Sequence, residues 1–287
     1  MTVTAAPAKI STRTATGDDL PVPDDRGVVD VRGSAPARAG TVTYDAVDLV
    51  TGWHAHELHQ LEYAVDGTAE VETAAGRYLL PPQQAIWIPA GLAHNTALAH
   101  VRSIAVFFEP ALVPDAGDRA RVLAVTPLLR EMVVEAVRWP ITRAASDPVA
   151  DAFFAALALL LGEWLDHETP LWLPTSDDPL IAAVMAATRA DLGATVAGIC
   201  RDVGLSERTL RRRFVAATGL TWLDYRRQAR LLHALTLLAT TDLSVLDVAT
   251  ASGFDSVSSF GRAFRRTTGE TPSAYRRRTR TPPDPDR

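Results

Sequence analysis

The sequence predicts an α+β, multidomain chain: a small antiparallel β-barrel, then helices, then an all-α C-terminal region made of two copies of one helix-turn-helix unit. Three observations carry this expectation. Between Thr41 and about Glu109, short runs rich in Val, Ile, Tyr, Phe and Trp alternate with Gly and Pro, the rhythm of closely spaced strands. Beyond Pro114 the apolar spacing lengthens to the helical period. Finally, Ser206-Glu-Arg-Thr-Leu210-Arg-Arg-Arg-Phe214 and Ser256-Val-Ser-Ser-Phe260-Gly-Arg-Ala-Phe264 lie fifty residues apart, and each runs on to a Thr-Gly pair.

Residues 1–40 mix Thr, Ala, Pro, Gly and Asp without a sustained period and read as a disordered arm. The barrel is expected over 41–112. Within it, Leu61–Val65, Asp66-Gly67 and Thr68–Thr73 predict strand, two-residue hairpin turn and strand, because Asp-Gly supplies positive φ. Gly76, Pro81-Pro82 and Pro89-Ala-Gly91 punctuate further strands. Residues 113–170 form a helical region: Leu128, Leu129, Met132, Val133, Ala136 and Val137 share one face, and Phe153, Phe154, Leu157, Leu160, Leu161, Trp164 and Leu165 share a wider one. The breadth of that second face suggests dimerisation. Residues 171–178 are a Pro-punctuated linker, 179–280 the helical repeat and 281–287 a disordered tail. Asp178-Pro179 opens a helix to about Asp191, with Pro where its missing N–H costs nothing.

Bulk properties narrow the classes. The 287 residues are 47% hydrophobic and 22% charged, ordinary for a globular protein with a sizeable core. The most apolar run, Phe153–Leu161, is shorter than the ~20 residues of a membrane span, and the N-terminus lacks a basic-then-apolar leader. A cytoplasmic protein with no membrane partner is expected. The single cysteine, Cys200, excludes a disulfide framework or a cysteine-rich zinc module and falls in an apolar helical pattern, where a buried core role is expected. The net charge of −5 conceals an asymmetry: residues 201–280 hold fifteen Arg, no Lys and seven Asp or Glu, so they carry +8 against −13 elsewhere. A basic segment coinciding with a repeat suits a polyanion.

In the first repeat Thr195 caps a helix with Val196, Ile199 and Cys200 inward, Gly204 turns the chain, and Ser206 caps a helix with Leu210 and Phe214 inward. In the second, Ser244, Val245, Val248, Ala249, Gly253, Ser256, Phe260 and Phe264 take these places, with Asp255 one extra residue in the turn. Burying Leu210 and Phe214 turns Arg208, Arg211 and Arg212 outward on one face. Arg can bond guanine O6 and N7 in a bidentate way, so this face is a candidate reader of a DNA groove. The matching face of the second unit carries Val257, Ser258, Gly261 and Arg262, poorer in donors. Phosphate contacts, one base contact from Arg262 and a thymine-methyl contact from Val257 are expected there. Leu223–Ala239 reads as one rod able to hold the two reading helices about one DNA turn, ~34 Å, apart.

The pattern Ser206-x-x-x-Leu210-x-Arg212-x-Phe214, Thr218-Gly219, Arg230-Leu231-x-x-Ala234-x-x-Leu237-Leu238, Gly253-Phe254-Asp255-Ser256, Phe260-x-Arg262-x-Phe264 and Gly269-x-Thr-Pro272-x-x-Tyr275-Arg276 resembles the AraC family of transcription regulators from about Pro179 to Arg278. The resemblance implies promoter DNA as partner; a homodimer is expected from the broad apolar helix face and from the DNA-binding role, with RNA polymerase as a further partner. The family's DNA-facing positions fall on Arg208, Arg211, Arg212, Val257, Ser258, Gly261 and Arg262. Gly261 departs from the family, where a side chain able to contact DNA is more usual.

His54-Ala-His56 puts two imidazoles on one side of an extended segment, and Pro89-Ala-Gly91-Leu-Ala-His94 adds a third after a tight turn. This resembles the two-part signature of a cupin, a barrel that AraC-like regulators often carry as sensor. The cupin metal pattern wants a glutamate where Gln60 or Leu61 stands; Glu62 comes one residue later. His54, His56 and His94 are therefore either a three-His site for a divalent metal, polar lining of an organic-ligand pocket with Gln60, or structural residues. His59 is expected on the surface. Tyr63, Trp87 and Phe107 are pocket walls or plain core. No phosphate-binding Gly loop, Gly-x-Ser-x-Gly elbow or His-Glu-x-x-His occurs. The leading expectation is a non-enzymatic transcription regulator responding to a small molecule or metal. The alternatives are a metal-dependent cupin oxygenase or isomerase tethered to DNA, and a dedicated metal-responsive regulator. The missing glutamate weighs more against the enzyme than against the metal sensor.

Overall fold

The computed structural model describes residues 27–279 except 83, 167 and 169–171. The expected arm over 1–26 and tail over 281–287 lie outside them. The described elements comprise seven strands, β1 (Ala39–Val50), β2 (His59–Thr73), β3 (Gly76–Leu80), β4 (Gln84–Ile88), β5 (His94–Phe108), β6 (Arg121–Ala124) and β7 (Leu173–Pro174). Nine helices accompany them: α1 (Pro127–Ala136), α2 (Pro148–Leu165), α3 (Pro179–Ala190), α4 (Val196–Val203), α5 (Glu207–Thr218), α6 (Trp222–Thr240), α7 (Val245–Ala251), α8 (Val257–Thr268) and α9 (Pro272–Thr279).

All strand pairs are antiparallel, and β2 and β5 are the long central pair. The N-terminal half of β2 pairs with β4, and its C-terminal half with β3, while β5 follows it throughout. The sheet thus folds over on itself at the middle of β2. The expected hairpin at Asp66-Gly67 is corrected by this pairing. Gly67 does take a positive φ of 69°, but as part of an irregularity between Ala64 and Thr68 inside one continuous strand. The Asp66 carboxylate accepts the Arg102 backbone N–H at 2.9 Å and Nε at 2.6 Å, pinning that irregularity across to β5. Ladder bonds on both sides of the kink hold the chain straight through a sequence that would otherwise turn. The reversal comes later, between Thr73 and Gly76.

Two other boundaries differ from expectation. Residues 27–38, expected in the arm, lie against the barrel. Val29 N–H donates to Ala55 O, Ala55 N–H donates to Gly27 O, Val29 and Ala37 are buried, and Arg32 and Arg38 both reach Glu109. The sheet also continues past 112, because β6 pairs with β4 and β7, from the linker, pairs with β3.

Alternation along β2 sends Leu61 and Tyr63 outward. They join Trp87 and Phe108 under α1 and α2, which contribute Leu129, Val133, Phe154, Leu157 and Leu161. Thr126 and Asp147 cap these two helices by accepting backbone N–H groups. Tyr63 and Trp87 are therefore core beneath the helices. The other face of the barrel wall holds Ala64, Val71, Leu80, Ile86, Ile88 and Leu98, and this cluster runs on through Leu173 into the helices that follow. Trp172 stacks on Tyr78 at 5.8 Å and 22° and fills the space beside Gly76, where an added Cβ would stand 2.7 Å from its ring. Among the described residues α2 is the one helix long and apolar enough to cross a membrane; its Phe154, Leu157, Leu161 and Leu165 are packed inside the protein.

Candidate functional site: an arginine face and an imidazole cluster

The two helix-turn-helix units follow the same local rules. Thr195, Ser206, Ser244 and Ser256 each accept a hydrogen bond from the backbone N–H three residues on, satisfying a free donor at the helix start. Leu210 and Phe214, like Phe260 and Phe264, are fully buried, each Phe contributing about 1.5–3 kcal/mol by leaving water. Phe214 meets Tyr225 edge-on at 5.4 Å and Phe264 meets Tyr275 at 5.6 Å, so the repeat persists in its contacts. Cys200 is buried, which pushes its thiol pKa up. The rod spans Trp222–Thr240, ~28 Å at ~1.5 Å per residue. The units touch at Gly253, with φ 76° and its Cα beside Leu192 O; a Cβ there would lie 2.7 Å from that oxygen, while Arg230 Nε donates to it at 2.8 Å.

This packing leaves Arg208, Arg211 and Arg212 exposed on the outer face of α5. Arg211, 80% exposed, has only a 3.8 Å approach to Glu207. On α8, Val257, Ser258 and Arg262 are exposed and Gly261 is half-buried with open space where a side chain would project. Arg213, which the sequence reading passed over, is turned the other way. Its Nη2 and Nε contact Asp178 Oδ2 at 2.6 and 2.9 Å, the carboxylate that also caps α3 through Leu180 N–H. Helix α5 is thereby tied to the end of the linker.

In the barrel, His54, His56 and His94 come together as the cupin resemblance implies, with ring centroids 4.3 Å (54–94), 5.1 Å (56–94) and 6.0 Å (54–56) apart and their nearest ligand atoms within 4.8 Å. His54 and His94 face each other across an isolated antiparallel bridge. With the proton on Nδ1, each ring donates to a backbone carbonyl: His54 to Gly52 O (2.9 Å), His56 to Leu58 O (2.6 Å) and His94 to Leu92 O (2.9 Å). That fixes the tautomer that presents Nε2 as a ligand. His94 Nε2 is buried without a protein partner. Burial, then the two neighbouring imidazoles, push the His94 pKa down to about 3, and burial lowers that of His56. The unfolded chain binds more protons than the folded one between pH 6.5 and about 3, so His94's contribution to stability is lost as pH falls through that window.

The surroundings correct two expectations. His59 is buried, not on the surface: its Nδ1 accepts from Ala90 N–H at 2.8 Å and its ring lies 5.1 Å from Trp87. Glu62, one position too late for the cupin pattern, is nevertheless next to the cluster, because β2 sends Gln60 and Glu62 to one face. Gln60 Oε1 lies 2.8 Å from His56 Nε2, and Gln60 Nε2 lies 2.9 Å from Glu62 Oε2. Burial pushes the Glu62 pKa up, against opposing contacts from Ser103 and Gln60. Two-residue alternation could have revealed this partner. Phe107 stands edge-on to His56 at 5.4 Å and is the one of the three candidate aromatics that walls the site. In a separate cleft of about 550 Å³ at the α1–α2 loop, lined by Arg138, Trp139, Arg143 and Asp147, Trp139 Nε1 donates to Asp147 and Arg143 Nη1 to Ala39 O.

An antiparallel sensor barrel joined to paired helix-turn-helix units with an exposed arginine face defines a ligand-responsive DNA-binding regulator. Residues 42–168 match the AraC-like ligand binding domain and residues 199–278 a helix-turn-helix domain. The chain is 31% identical to the HTH-type transcriptional regulator NimR of Escherichia coli K12 over 232 residues, 79% of this chain and 83% of that one. It is 33% identical to the HTH-type transcriptional activator RhaR of E. coli K12 over 135 residues, 46% of this chain and 47% of RhaR. Among solved structures, ToxT from Vibrio cholerae matches with 14% identity and a TM-score of 0.35, covering 83% of this chain and 98% of that one. This chain belongs to the AraC family of transcriptional regulators: a DNA-binding protein whose N-terminal domain is a ligand-binding domain.

Proposed function

We propose that this regulator senses a divalent transition metal at His54, His56 and His94 and transmits its occupancy to promoter binding by α5 and α8. The observation that supports the sensor reading is the set of three rings, each anchored through Nδ1 to a backbone carbonyl, with the buried Nε2 of His94 left over. Imidazole nitrogens suit zinc, nickel, copper or iron. An ion about 2.0–2.1 Å from each nitrogen would hold them roughly 3.3 Å apart, so the cluster must contract from its 4.8 Å span. The metal would supply positive charge in the barrel; the chain's residues orient the rings and, through Phe107, exclude water. Glu62 faces Gln60 rather than the rings' shared space, which favours binding over catalysis.

Arg208, Arg211 and Arg212 read bases, Arg262 supplies one base contact, and Val257, Ser258 and the backbone at Gly261 lie along the duplex. The protein acts as a homodimer in the cytoplasm, with α2 as the dimer face. The outer side of α2 carries Val149, Ala152, Ala156 and Leu159 at helical spacing, and Leu159 is 76% exposed. RNA polymerase is the further partner at the promoter. The domain limits that follow are 27–174 for the sensor with its helices and 179–279 for the reading head, joined at 175–178.

Promoter fragments recovered by genome-wide binding would serve as probes in operator titrations with and without Zn(II), Ni(II) or Cu(II). A metal-dependent change in operator affinity is expected, and it should vanish in the His54→Ala, His94→Ala double variant while the fold persists. A response intact in that variant would move the sensing site elsewhere.

A further inference from the structure

The nitrogen that His56 would give to a metal is already in use. Its Nδ1 is committed to Leu58 O, and its Nε2 lies 2.8 Å from the Gln60 amide. A neutral imidazole has one N–H and one in-plane lone pair. With Nδ1 donating, that lone pair accepts a hydrogen bond when the Gln60 amide is turned to place its Nε2 toward the ring, and Gln60 Oε1 then accepts from Glu62 Oε2, whose buried carboxyl carries the proton. All three side chains are buried at His56, Gln60 and Glu62, so each bond in the row replaces one that water cannot supply. The same lone pair cannot bind the amide and an ion together.

On the reading of the cluster as a metal site, we propose that Gln60 is a latch, held in place by Glu62, that competes with the metal for Nε2 of His56 and so lowers the affinity of the site. The widest of the three ring separations, 6.0 Å between His54 and His56, involves the ring that the latch holds. On release the amide has somewhere to go, because the Glu62 carboxyl already stands 2.9 Å from it on the side away from the ring. Gln60 also stands on β2 opposite Ile88 of β4 and Phe107 of β5, so its release is felt in the strands that carry the barrel. Glu62 is a positioning residue here, acting on the site only through Gln60.

The test uses the full chain stripped of metal and titrated with Co(II), followed by its visible absorption, and with Zn(II) against a chromophoric chelator. Gln60→Leu, which keeps the volume and removes the bond, should bind both ions about threefold to tenfold more tightly than wild type. Glu62→Leu should shift affinity in the same direction by less. Glu62→Gln, which still offers both donor and acceptor to Gln60, should stay near wild type, a rescue that a purely space-filling role would not produce. Equal or weaker binding by Gln60→Leu overturns the latch while leaving the metal site intact. Should Gln60→Leu not fold, the Glu62→Leu and Glu62→Gln pair decides: equal affinities overturn it. Absence of Co(II) and Zn(II) binding by folded wild type and variants alike overturns the metal site itself, and the latch with it.

Discussion

The two helix-turn-helix units share a skeleton and differ in what they present. Both use Ser caps, a buried inward pair and a Phe–Tyr edge contact. The outer face of α5 carries three exposed arginines, whereas that of α8 carries Val257, Ser258, Gly261 and Arg262. They also differ in attachment. The first unit is tied to the linker through Arg213 and Asp178, and the linker is itself an edge strand of the sensor sheet. The second unit packs on the rod α6 through α7 and α9 and meets the first at Gly253 and Leu192. The two units thus share a skeleton but not an outer face, and α5 carries the more basic one.

The comparison can be broken or sharpened in four steps. Replacing Phe214 or Phe264 by Ala removes a fully buried ring and should cost ~3–5 kcal/mol in each case, measured by denaturant unfolding; a much smaller loss in one unit would show that the shared skeleton is not equally packed. Arg208→Ala or Arg212→Ala should weaken specific operator binding by ~1–3 kcal/mol and relax sequence preference, while Arg262→Ala should lose affinity more evenly across sequences. Equal relaxation from both helices, seen in binding-site selection, would erase the distinction between them. Arg213→Ala should lower operator affinity less than Arg212→Ala and weaken the response to effector; an unchanged response in operator titrations would remove the linker tie from the coupling path. The smallest effect is expected at Gly261→Ala, which meets open space and should raise stability by ~0.5–1 kcal/mol without loss of DNA affinity. A large drop in affinity there would mean that the duplex approaches the α8 backbone closely.

Glu62 and His59 show where local pattern stops being informative. Alternation from His54 and His56 places His59 on the outer side, yet those two lie in a bridging segment before β2 begins, so the alternation does not run through them. Glu62 looked one residue out of place when judged against a ligand pattern. It reaches the cluster indirectly, through the side chain two residues earlier on its own strand.

What the sequence alone determined is everything governed within a few residues: the Thr and Ser caps, the i, i+4 inward pairs, the arginine face that follows from them and the rod between the units. These are legible because backbone donors at a helix start and the 3.6-residue period act locally. Only the tertiary structure decided that Asp66-Gly67 is a kink rather than a turn, that 172–174 docks on β3, that His94 meets His54, and that Arg213 pairs with Asp178. Each of those depends on a partner distant in sequence or on which of two burial options leaves fewer polar groups unpaired, and neither is written in any short window of the chain.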